Sequence, residues 1–102
     1  MLLSVRERLI LSSILPQEGD FVTLKILRNL QSALGFDEDE HKLYKFVQDE
    51  GRVTWDDKGE QNKEIEIGEK ANDIIVRALS ELSERKKLQM EHFDIYTKFV
   101  GE

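Results

Sequence analysis

Residues 52–67 read RVTWDDKGEQNKEIEI, and here the hydrophobic period of the chain changes. Val53 and Trp55 alternate with Arg52, Thr54 and Asp56, and Ile65 and Ile67 alternate with Glu64 and Glu66. A period of two belongs to a strand with one face on a core. Asp57 to Asn62, between the two runs, is rich in turn formers. The stretch therefore predicts a β-hairpin with a long loop and with Trp55 on its inward face. Every other segment follows the helical period.

On the N-terminal side, Ser4 and Glu7 have capping-box spacing and start a helix to Ile14 or Leu15. Pro16 stops it, because the residue before a proline is pushed out of helical geometry. Asp20 is placed to cap a second helix, Phe21 to Leu34, whose apolar residues from Val22 round to Leu24 sweep an arc of roughly 200°. Gly35 is expected in the left-handed position that ends it, with Phe36 as the apolar contact that follows. Asp37, Glu38, Asp39 and Glu40 open a third helix to about Gln48. Asp37 and Glu40 make a second capping box, and the acidic first turn suits the helix dipole. Leu43, Phe46 and Val47 are expected to face inward.

On the C-terminal side, Ala71, Ile74, Ile75, Ala78, Leu79 and Leu82 mark a helix from Glu69 to Arg85. A last helix, Met90 to Val100, has Phe93, Tyr96, Phe99 and Val100 on its apolar side and Ile95 at the margin. The order is α-α-α-β-β-α-α, a single compact domain over residues 1–102, mainly α with one β-hairpin. Its first part has the outline of a winged helix.

The 102 residues contain no Cys, which excludes disulfides, thiolate metal sites and thiol nucleophiles. No run approaches the length of a membrane span, and Arg6, Glu7 and Arg8 interrupt the apolar start, so Met1 to Leu15 reads as a helix of a soluble, cytoplasmic protein. The net charge of −6 is unevenly spread. Residues 1–36 hold four basic and three acidic groups, residues 37–69 five and twelve, and residues 70–102 six and six. The middle third, at −7, should repel phosphate and attract basic surfaces.

Catalytic patterns are missing. There is no Gly-x-Ser-x-Gly elbow, the six Gly are scattered, and the carboxylates lie in polar sequence that does not shift a pKa for acid–base work. His41 and His92 are far apart, without a ligand at helical spacing. Asp37, Asp39 and His41 alternate, but Lys42 and Gln48 stand where a calcium loop needs Gly and Glu. The expectation is a non-enzyme without cofactor or metal. DNA reading by the third helix fits poorly, because the helix opens on carboxylates where phosphate contacts need Lys and Arg. The candidate partner-binding residues are Asp37, Glu38, Asp39, Glu40, Asp56, Asp57 and Glu60, facing a basic protein. In the alternative, a winged-helix-like regulator would contact nucleic acid through Lys25, Arg28, Arg85, Lys86 and Lys87. A third reading is an assembly protein, a homo-oligomer with residues such as Trp55 or Phe99 at its interface.

The segments Ser4-Val5-Arg6-Glu7-Arg8-Leu9, Leu15-Pro16 and Thr23-Leu24-Lys25-Ile26 are similar to small uncharacterised proteins of tailed-phage and prophage genomes of Firmicutes. Glu64 to Ala71 and Tyr96 to Val100 add to the resemblance. It implies a phage context, with roles such as host-enzyme modulation, replication accessory or virion assembly, and assigns no functional residue.

Overall fold

The computed structural model describes residues 1–101. The protein is mainly α-helical with a β-hairpin. Its elements are β1 (Leu2–Leu3), α1 (Val5–Ile14), α2 (Phe21–Leu34), α3 (Glu38–Tyr44), β2 (Val47–Asp49), β3 (Arg52–Thr54), β4 (Lys63–Glu64), α4 (Glu69–Glu84) and α5 (Phe93–Phe99), the last entered through a short 3₁₀ turn, Met90–His92.

Local chemistry sets the first three helix starts. The Ser4 hydroxyl accepts from Glu7 N, and the Glu7 carboxylate accepts from Ser4 N, closing the capping box of α1. Asp20 accepts from Thr23 N at the start of α2, and Asp37 and Glu40 form the reciprocal pair at α3. Leu15 is extended (φ −67°, ψ 143°), as Pro16 requires.

The helices α1, α2, α4 and α5 enclose the core. α1 packs on α2 and α4, and α4 on α2 and α5. Leu11, Leu15, Leu27, Leu30, Leu34, Ile75, Leu79 and Ile95 are buried there together with Leu3 and Ile65. Each fully buried aliphatic side chain contributes about 1.5–3 kcal/mol relative to its exposed state. Lys98 of α5 donates to Leu2 O and to the Glu7 carboxylate, fastening the last helix across β1 and α1.

The hairpin lies elsewhere than its alternation suggests. β2 pairs antiparallel with β3, in the register Val47 with Thr54, Gln48 with Val53 and Asp49 with Arg52. The turn is Glu50-Gly51, with φ of +49° and +77°, the combination that suits the right-handed twist of a two-residue hairpin. The segment leading into Ile65 pairs instead with the N-terminus: Leu2 with Glu64 and Leu3 with Lys63, while Ile65 N donates to Met1 O. α3 consequently ends at Tyr44 rather than near Gln48, with Lys45 left-handed at φ +50°.

Four further expectations are corrected. Gly35 is extended, not left-handed, at φ −66°. The inward faces of three helices are narrower or rotated: Val22 and Leu24 on α2 and Leu43 on α3 are exposed, as is Phe93 on α5, while Ile95 is fully buried. Val47, expected inside a helix, is an exposed strand residue. Trp55 is half-buried rather than part of the core.

Candidate interaction surface

Besides Ile65 and the β1–β4 pairing, a buried cation, Arg8, joins the start of the middle third to the helical core. It lies on the core stripe of α1 with Val5 and Leu11 and is only 1% exposed. Its Nε donates to Leu34 O (3.1 Å) and its Nη2 to Gly35 O. Its two terminal nitrogens grip the Glu40 carboxylate, Nη1 to Oε2 at 2.5 Å and Nη2 to Oε1 at 3.2 Å. The Phe36 ring lies under the guanidinium at 3.9 Å. Arg8 thus caps the carbonyl end of α2, where the helix dipole favours a cation, and binds bidentately to the first turn of α3. Gly35 N itself donates to Gln31 O and Ser32 O, and the guanidinium takes up the two carbonyls that follow, Leu34 O and Gly35 O, so the chain leaves α2 in an extended conformation without a left-handed cap.

Glu40 also accepts from Asp37 N and from Lys63 Nζ, which lies beside β1 and α3. The hydrogen bond from Arg8 outweighs the burial that would raise its pKa. With Asp37 N, the Arg8 charge and Lys63 acting in the same direction, the Glu40 carboxyl is held down at about 2.

Aromatic packing sets the hairpin against α3. Phe46 stacks near Phe36 (4.7 Å between centroids), His41 (5.5 Å), Tyr44 (5.9 Å) and Trp55 (6.3 Å). Asp56 N donates to Tyr44 O at 2.7 Å, and the Trp55 indole N–H donates to the Glu60 carboxylate at 2.6 Å. α3, the hairpin and the loop after it thereby form one lobe.

The acidic residues singled out from the sequence divide into two groups on this lobe. Glu40 and Glu60 are turned inward, to Arg8 and Trp55, and do not face solvent as expected. Asp37 caps α3 and lies 3.9 Å from Lys63, while Glu38 meets Lys42 at 3.6 Å. The side chains of Glu38, Asp39, Asp56 and Asp57 are exposed. Asp56 accepts from Lys58 N, which shapes the turn. Sequence reading missed Arg8 altogether. The available signal was its spacing, three residues from Val5 and three from Leu11, on the buried stripe.

The basic candidates do not share one surface of a single sign. Lys25 and Arg28 are exposed on α2. Arg85 ends α4 beside a hollow that also holds Glu18, Asp20 and Glu81. Lys86 is left-handed at φ +58°, with Lys86 N donating to Ser83 O and Lys87 N to Leu82 O, a complete Schellman motif. These three residues are the physical end of a helix.

A groove of about 840 Å³ runs between α1 and the hairpin. Leu9 and Ile10 face it from α1, Val53 and Trp55 from β3 and the residue beyond it, and Asp57, Glu60 and Glu91 supply carboxylates. Among the described residues no cluster of His, Asp or Glu is arranged to hold a metal, and no helix is long and apolar enough to cross a membrane. Scans against protein-family models, curated proteins and solved structures find no match for this chain.

Proposed function

We propose that the protein is a non-enzymatic binding module, a small phage-type protein that engages a basic protein partner in the cytoplasm through its acidic middle third. The observation that carries this reading is charge placement. Residues 37–69 hold twelve acidic and five basic groups, and Glu38, Asp39, Asp56 and Asp57 lie exposed on one lobe. That lobe is held by Arg8, Glu40 and an aromatic cluster, so its carboxylates present a fixed array rather than a floppy tail. Pre-ordering of this kind lowers the entropy lost on binding. The resemblance to phage proteins supplies the setting, in which a basic host or phage protein is the natural target.

The test is affinity capture from a Firmicute lysate with the wild-type chain and with the quadruple variant Glu38→Lys, Asp39→Lys, Asp56→Lys, Asp57→Lys. The wild type should retain basic proteins, the variant should lose them, and retention should weaken with salt. Equal capture by both chains would refute the reading. A gel shift at low salt distinguishes the nucleic-acid alternative, for which retarded DNA or RNA would be required.

A further inference from the structure

We infer that the groove between α1 and the hairpin docks an extended segment of the partner, which adds as a strand to the free edge of β3. This rests on the basic-protein reading above and names the site and form of contact.

The ladder fixes which main-chain groups are free. In a hairpin closed by a two-residue turn, the residues flanking the turn are a hydrogen-bonded pair and the next pair is not. Asp49 and Arg52 flank the turn, so the pair Gln48 and Val53 points its N–H and C=O groups outward. Two residues further on, the alternation directs the Trp55 main chain the same way, while Asp56 N turns back to Tyr44 O. The outer edge of β3, continued through Trp55 just beyond it, thus offers two donors and two acceptors at strand spacing, the template an added strand needs.

The groove lies along that edge. All five consecutive residues from Gly51 to Trp55 border it, and no residue of β2 does. A hollow on one face of the hairpin would be bordered by alternate residues of both strands instead. The opposite wall is α1, where half-buried Leu9 is available to apolar side chains of an incoming strand and the core residue Ile10 also borders the groove.

Charge selects the occupant. Arg6 and Arg52 nearly balance Asp57, Glu60 and Glu91 inside the groove, whereas the middle third around it carries −7. The fitting segment is therefore alternately apolar in its centre and basic in its flanks. A second copy of this chain, at −6, would bring like charge to the same place.

The probe is the peptide Lys-Lys-Val-Thr-Val-Thr-Val-Lys-Lys, titrated into the full chain and followed by amide NMR. Binding should shift the amides of Val53 and Trp55 and slow their hydrogen exchange. N-methylation of the central valine should weaken binding by about tenfold, the effect of a lost main-chain hydrogen bond. Val53→Pro should do the same from the protein side, because it removes an outward N–H and leaves the β2–β3 ladder intact. Equal binding of the methylated peptide, or shifts confined to Glu38 and Asp39, would overturn strand addition and leave the acidic-surface reading standing. No binding by the basic peptide would also overturn it. The acidic-surface reading has its own failure, unchanged capture after charge reversal.

Discussion

The flanks of this chain and its middle third are built by different forces. Among the described residues, thirteen hydrophobic side chains are buried and only Tyr44 and Ile65 of these come from residues 37–69, while all six residues of β2 and β3 are exposed. The flanks fold by close packing of four helices. The middle third has little apolar area to bury and is held by a buried guanidinium, an aromatic cluster and a few long-range hydrogen bonds. The difference teaches that a strongly acidic segment can be ordered without a core of its own, provided a core-facing cation reaches it. It also places the charge on the part of the molecule with fewest structural demands on its surface, which is where an interaction face is most easily carried.

The sharpest way to break the comparison is to remove the cation. Arg8→Met keeps the length and apolar stem but leaves Leu34 O and Gly35 O without their donor, and Glu40 with only Asp37 N and Lys63. Stability measured by denaturant unfolding should fall by about 1–3 kcal/mol, the cost of leaving buried acceptors such as Leu34 O unsatisfied. A loss below about 0.5 kcal/mol, ordinary for a surface charge, would show that the lobe is anchored by packing alone.

Acid should act through the same link. Glu40 is depressed to about 2 from an ordinary 4.5, so its stabilising contribution is fully present above pH 4.5 and is lost as pH falls toward 2. Glu7 points the same way: burial would raise it, but the hydrogen bonds from Lys98 and Ser4 and the Lys98 charge hold it down. Unfolding followed by circular dichroism should show stability falling across that window, and Glu40→Gln should flatten much of the slope. A slope unchanged in that variant would contradict the assignment.

The smallest effect lies in the flanks, at the end of α4. Lys86 occupies a left-handed position at which a side chain is strained. Lys86→Gly should raise stability by about 0.5–1 kcal/mol in a thermal melt, with no change at the acidic lobe.

The helix starts were legible because they are local. Ser4 with Glu7, Asp20, and Asp37 with Glu40 each act within one turn, and Pro16 acts on its neighbour. The strand pairing was harder for physical reasons. Val47-Gln48-Asp49 carries no strong strand signal, and α3 stops at Lys45, a residue with no preference for the left-handed region. The aromatic contacts of Phe46 with Phe36 and Trp55 override the helical continuation, and they join residues distant in sequence. One usable cue existed: Gly51 can supply the positive φ that a two-residue hairpin turn needs. The alternation at Ile65 and Ile67 falls just past the actual strand, Lys63–Glu64, whose partner lies at the N-terminus, beyond any local rule. Of the candidate surface, the placement of the charge was readable. Which carboxylates face solvent was not, since the inward turn of Glu40 and Glu60 depends on Arg8 and Trp55.

Native-state hydrogen exchange of the wild-type chain through a denaturant series tests the two-region account most directly. The account predicts that the amides of His41, Lys45 and Asp56 exchange through a sub-global opening, at lower free energy than those of Ile75 and Leu79, which require global unfolding. A single opening free energy with one denaturant dependence at all five sites would contradict it.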